Sequence, residues 1–210
     1  MAVSSTPGRS VSEQKRRLRH EMAERRRVCS PLARSKAARA LAERLEGFAP
    51  LQAAAVVAGY VPVRGEIDPR PALEALAAQG VVIVWPRVGR GKPRLAFFRV
   101  SGADDWGHGP FGILEPKPGC PEVPVAAIDA FVTPGLAFDP RGYRLGWGGG
   151  YYDELIAGLP VRQRVLLLGV AHDFQVVSRC PHESFDAPID WIVTDRQTIA
   201  CQALRQSSPT

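Results

Sequence analysis

Hydrophobic and polar positions along the chain divide it into segments of helical and strand period. In residues 11–28 the apolar positions Val11, Leu18 and Met22 give only a narrow stripe, which predicts a largely solvated helix with Ser10 or Ser12 as its N-cap. Ser30 followed by Pro31 supplies a cap and a first-turn proline for a second helix over residues 31–46, closed by Gly47. Residues 53–61, AAAVVAGYV, are a short and nearly continuous apolar run, as expected of a strand buried on both faces. A helix over residues 70–79, closed by Gly80, and a strand over 81–85 complete a strand–helix–strand unit, which favours a parallel sheet. Further strands are expected at 95–100, 128–133, 164–170 and 191–194, and a helix at 152–159. Residues 101–124 are rich in Gly and Pro and predict a long ordered loop with FGILEP at its centre. With no repeat or low-complexity linker, the expectation is one α/β domain over residues 11–200. It is a three-layer sandwich with a mostly parallel central sheet and helices on both faces. Residues 1–10 form a disordered tail and residues 201–210 a C-terminal tail.

Composition narrows the setting. No apolar run approaches the length of a membrane span, and the opening MAVSSTPGRSVSEQ lacks the apolar core of a signal peptide. Cys29, Cys120, Cys180 and Cys201 are widely separated with no CxxC pair, which argues for reduced thiols in the cytoplasm rather than a disulfide framework or a zinc site. The net charge of +6 is uneven: residues 1–46 hold 12 Lys/Arg against 5 Asp/Glu, so the rest of the chain sums to −1. Interleaved acids make this arm read as a solvated helix with a few functional cations rather than a nucleic-acid tail.

The richest chemistry lies at residues 137–152, AFDPRGYRLGWGGGYY, with Asp153 directly behind. Gly146, Gly148, Gly149 and Gly150 allow left-handed backbone and close approach of another group, and successive amides in such a loop form an anion-binding nest. Arg144 adds a permanent cation, the helix after the glycines adds amide donors, and Asp153 can hold a metal ion against phosphates. The run lacks the Lys-Ser/Thr of a Walker loop and the glycine spacing of a dinucleotide fold. Ligands of parallel sheets bind beyond the carboxyl ends of the strands, where residues 64–68, 139–153 and 172–175 form three polar clusters. On α-helical spacing Lys15 and Arg19 share one face, with Arg16 beside them.

Taken together, KRRLR at residues 15–19, Glu66 after a Tyr-containing strand, FGILEP, PGLAFD, RLGWGGGYYD and the Asp186–Asp190 pair with Thr194 following resemble the 5-formyltetrahydrofolate cyclo-ligases, in order over residues 15–194. The resemblance implies ATP- and Mg2+-dependent conversion of 5-formyltetrahydrofolate to 5,10-methenyltetrahydrofolate. It implies that Lys15 and Arg19 reach ATP phosphates. Arg144, Gly146, Trp147, Gly148, Gly149, Gly150, Tyr151 and Tyr152 would wrap the nucleotide, with Arg144 and Lys15 assisting phosphoryl transfer. Val61, Glu66, Trp147 and Tyr151 would line the folate pocket, and Asp153 and Asp190 would hold magnesium, with Asp139 in reserve. Two positions depart from the family pattern: Trp147 stands where Arg or Met is common, and Glu154 where Arg follows the Asp. The expected partner is a reduced folate, with no nucleic acid, no membrane and a monomeric chain.

Two other classes remain open at this stage. One is a relative that binds folate or nucleotide without turnover. The other is a nucleic-acid-binding protein, suggested by the pI of about 9.5 but lacking interleaved aromatic and basic residues.

Overall fold

The computed structural model describes residues 10–89, 94–109, 112–159 and 165–202. Of the tails expected at 1–10 and 201–210, residues 1–9 and 203–210 lie outside the described residues, as do Phe111 of FGILEP and Arg164 of the predicted strand.

Helix α1 spans Val11–Arg27; Ser10 accepts from Glu13 N while the Glu13 carboxylate returns to Ser10 N, a capping box that fixes its start. Three arginines in the last turn suit the negative end of the helix dipole. Helix α2 (Pro31–Glu46) is capped by Ser30, as its Ser-Pro start predicts. A short α3 (Ala49–Gln52) precedes β1 (Val56–Ala58), so the apolar run at 53–61 contributes only three strand residues. Helix α4 (Arg70–Ala78) leads to β2 (Val82–Val88) and β3 (Leu95–Arg99). The segment expected to be a long loop contains β4 (Trp106–His108), β5 (Leu114–Pro116) and β6 (Glu122–Val123). Then come β7 (Ala130–Thr133), β8 (Ala137–Phe138), β9 (Arg144–Leu145), α5 (Tyr151–Ala157), β10 (Leu166–Ala171), β11 (Trp191–Thr194) and β12 (Thr198–Ala200).

The main sheet has the order β12-β11-β10-β7-β1-β2-β3-β6. Its centre, β11 to β2, is parallel throughout, and the outer strands β12, β3 and β6 are antiparallel. Strand period 2 sorts the core: Val57, Val132, Leu168, Val170 and Val193 face α2, α3 and α4, while Ala58, Phe131, Leu167 and Ile192 face the other way, toward α5. The second face is covered by more than a helix. The hairpin β8–β9 folds back over it, and Phe138 lies so close to the sheet that a Cβ on Gly169 would stand 2.5 Å from its ring. Helix α1 packs on that hairpin rather than on the sheet, through Met22, Leu136, Ala137 and Leu145. Its N-terminal arm is thereby carried to the carboxyl edge of the parallel strands.

Candidate active site

Four segments meet at that edge. The chain leaving β1 turns through Arg64 and Gly65, both left-handed at φ +49° and +74°. The Tyr60 hydroxyl donates to the Ile67 carbonyl at 2.7 Å and closes the loop behind Glu66. Glu66 is buried; Val63 N donates to its Oε2 at 3.1 Å, its Oε1 lies 3.6 Å from Arg26 Nη1, and Trp147 Nε1 reaches that same oxygen at 3.5 Å. Burial raises the Glu66 carboxyl above the usual carboxylate range, and the Arg26 charge opposes the shift without cancelling it. His172, at the end of β10, donates from Nε2 to the Gly65 carbonyl at 3.2 Å and so ties the Glu66 turn to the next strand.

The glycine run enters from β9 and ends in α5, with Gly148 at φ +104° and Gly150 at φ +71°. Arg19 Nε donates to the Gly146 carbonyl and Arg94 Nη1 to the Gly149 carbonyl, each at 2.9 Å. With those carbonyls turned toward guanidinium groups, the backbone amides of Gly146, Trp147, Gly148 and Gly149 donate to no described residue. That is the arrangement of an anion nest. Trp147 projects from the run toward Glu66, its ring centroid 5.2 Å from the Arg26 guanidinium and 4.7 Å from that of Arg64. The phosphate-type loop and the buried carboxylate are thus in contact.

A profile of the 5-formyltetrahydrofolate cyclo-ligase family matches residues 11–195. The chain belongs to that family. The 5-formyltetrahydrofolate cyclo-ligase of Escherichia coli K12 is 31% identical over 173 residues, 81% of this chain and 94% of its own. The Mus musculus cyclo-ligase is 23% identical over 192 residues, covering 88% and 95%. The 5,10-methenyltetrahydrofolate synthetase of Aquifex aeolicus superimposes with a TM-score of 0.77 at 33% identity, over 90% of this chain and 93% of the other.

Within this family member, the predicted cations are already engaged. Lys15 Nζ lies 2.9 Å from Glu183 Oε2 and 2.6 Å from Asp186 Oδ2. Burial pulls the Lys15 ammonium down, but the hydrogen bonds and charges of Asp186 and Glu183 outweigh it and the net shift is upward. Arg144, nearly buried, places Nη2 2.6 Å from Asp153 Oδ1 and lies over the Tyr152 ring, while its Nε has no hydrogen-bond partner. Asp153 therefore stands in the first turn of α5 with one oxygen held and the other directed to no described residue. Tyr151 and Tyr152 both pack partly into the core beneath the run, and Val61 is half-buried at the start of the Glu66 loop. Burial, and then the Glu66 charge, push the Tyr152 phenol up.

Asp190 is elsewhere. Its Oδ2 accepts from Leu167 N at 2.8 Å, at the amino ends of β10 and β11. The four residue steps from Leu167 to Ala171 put about 13 Å of strand between it and the carboxyl edge. Sequence reasoning brought Asp190 to Asp153; the parallel register separates them, and the aspartate found beside Lys15 is Asp186. Asp139 is also scaffold, fully buried, with its carboxylate accepting from Arg141 and from Cys180 N at 2.8 Å. Among the described residues no group of three or more His, Cys, Asp or Glu side chains is gathered for a metal ion. Sequence reasoning missed Arg26, Asp186, Glu183 and Arg94. Two of them carried a signal: Arg26, because residues 15, 19, 22 and 26 share one face of α1, and Asp186, which opens the Asp-x-x-x-Asp spacing.

Proposed function

We propose that the protein converts 5-formyltetrahydrofolate to 5,10-methenyltetrahydrofolate, consuming ATP and releasing ADP and phosphate. The observation that carries this reading is the contact between Trp147 of the glycine run and Glu66, which joins an anion nest to a buried carboxylate. A formamide oxygen is a poor leaving group. Moving the γ-phosphoryl group onto it creates a good one; the neighbouring folate nitrogen then attacks the formyl carbon, the ring closes and phosphate departs with the former formyl oxygen. Transfer of this kind relies on positioned cations and donors more than on a covalent nucleophile.

In that reaction the amides of residues 146–149, Arg19 and Lys15 bind the phosphates. Arg144 fixes Asp153 and holds the first turn of α5. Glu66 accepts hydrogen bonds from N–H groups of the reduced pterin, and Trp147, Tyr151 and Val61 enclose its ring. Magnesium fits this end of the sheet, since it uses only one or two carboxylates and keeps several waters, and Asp153 offers an oxygen with no other described partner. Asp186, held by Lys15, is a further carboxylate available to the ion. When bound, the ion neutralises phosphate charge.

The test is an absorbance assay for methenyltetrahydrofolate with and without ATP and magnesium. Formation only with both is expected; equal conversion without ATP overturns the mechanism. A second reading, binding without turnover, is favoured by the carboxylates already paired with Lys15 and Arg144. Folate binding with no product would select it.

A further inference from the structure

The largest fully buried side chain is a charged one. Arg26 has no solvent exposure, although it lies at the helical position that Met22 fills with apolar packing one turn earlier. Its Nη1 donates to the Gly135 carbonyl at 3.4 Å, and its Nε and Nη2 have no hydrogen-bond partner among the described residues. Burying a guanidinium with donors unfilled is costly, and an apolar side chain of similar volume at the same position would avoid that cost. Packing therefore does not explain an arginine here. Among the described residues, the carboxylate in ion-pair range is that of Glu66, at 3.6 Å.

We propose that Arg26 is a positioning residue for the folate site, acting as the buried counter-ion that keeps Glu66 ionised and aimed at the substrate. The inference rests on the cyclo-ligase reading, in which Glu66 receives pterin N–H groups. A carboxylate accepts at every lone pair only while ionised; once protonated it presents a donor where the ring also presents donors. Glu66 lies in a site where burial favours that proton, and Arg26 is the charge that resists it. The same helix face carries Lys15 and Arg19 to the nucleotide side, so α1 serves both halves of the cleft.

The groups facing Glu66 are few. Arg26 comes from α1, Trp147 Nε1 from the glycine run and Val63 N from its own turn, with Arg64 of that turn over the Trp147 ring. Burial first, and then the Glu66 charge, raise the phenols of Tyr60 and Tyr152, with Asp68 adding to the rise at Tyr60 and Arg144 opposing it at Tyr152. His172 reaches the turn through the Gly65 carbonyl, and burial lowers its own pKa.

The experiment follows kcat/KM for 5-formyltetrahydrofolate across pH in the wild type, Arg26→Met, Arg26→Lys, Glu66→Gln and the Arg26→Met/Glu66→Gln double variant, with melting temperatures at each pH. In Arg26→Met the acidic limb should move upward by about 1–3 pH units, the usual effect of removing an adjacent opposite charge, and the loss should fall on KM more than on kcat. Arg26→Lys should restore most of the shift, and Glu66→Gln should remove the limb, which separates Glu66 from His172. The double variant should match Glu66→Gln, and this comparison decides the matter if Arg26→Met alone fails to fold. A limb unmoved in folded Arg26→Met, or a double variant far worse than Glu66→Gln, overturns the proposal. A wild type that makes no methenyltetrahydrofolate at any pH overturns the cyclo-ligase reading instead, and this inference with it.

Discussion

Lys15 and Asp186 stand 171 positions apart in the sequence and 2.6 Å apart in the fold. The pair pins the first helix to the loop before β11. Under the proposed function Lys15 has two tasks, a latch in the free protein and a phosphate ligand in the complex.

Lys15→Met should raise the KM for ATP about tenfold or more, since a charge-assisted hydrogen bond contributes about 1.5–3 kcal/mol. The same variant tests the latch. Lys15 has its folded pKa raised above the ordinary 10.5, so its stabilising effect is complete below that value and is lost as pH rises through the folded pKa. The difference in melting temperature between wild type and Lys15→Met should accordingly hold at neutral pH and vanish in strong alkali. A difference that persists there removes the ion pair as its cause.

Magnesium dependence should separate two aspartates. Asp153→Asn should need more magnesium for half-maximal activity, whereas Asp190→Asn should leave that requirement unchanged, because Asp190 lies at the amino ends of the strands. Burial raises the Asp190 pKa, with the Leu167 amide opposing, so the folded state holds that proton more tightly than the unfolded chain. Its stability contribution is therefore present below the unfolded value of about 3.9 and falls as pH rises toward the folded pKa. At pH 7 the Asn variant should melt at or above the wild-type temperature. An altered magnesium requirement in Asp190→Asn would return that residue to the site.

Two left-handed glycines should fail in different ways. A Cβ on Gly142 would lie 2.5 Å from the Ile189 carbonyl at φ +99°, so Gly142→Ala should lower stability by about 1–3 kcal/mol and leave the KM for ATP unchanged. Gly148, at φ +104°, meets only the Arg19 guanidinium at 3.5 Å, and it belongs to the nest. Gly148→Ala should raise the KM for ATP with a smaller change in melting temperature. Reversed assignments would place the nest outside the nucleotide site.

Arg94 holds the Gly149 carbonyl at 2.9 Å and approaches Glu154 at 3.1 Å. Arg94→Met should weaken ATP binding several-fold with kcat largely preserved, and Arg94→Met/Glu154→Gln should cost less than the two single changes summed, because the residues share one contact. Strict additivity would show that the pair does not act as a unit.

The sequence by itself determined the elements whose signals are local. Ser10 with Glu13 and Ser30 with Pro31 write their helix starts in side-chain chemistry within three residues, and the apolar runs around Val57, Val132 and Leu168 require burial on two faces. The order of glycines after Arg144 likewise carried the anion nest, because backbone amides need no distant partner to form one. What the tertiary structure decided depends on which chain segments become neighbours. Strand period places Asp190 on β11 but not relative to Asp153; only the parallel pairing of Leu168 with Trp191 puts it at the far end of the sheet. The hairpin of two-residue strands at Ala137–Phe138 and Arg144–Leu145 is too short to show a period, and it forms because Phe138 finds room over Gly169. Arg26 reads in sequence as one of three basic residues closing a solvated helix. Packing of α1 on the hairpin turns that one arginine inward, where no water competes and Glu66 is its counter-ion.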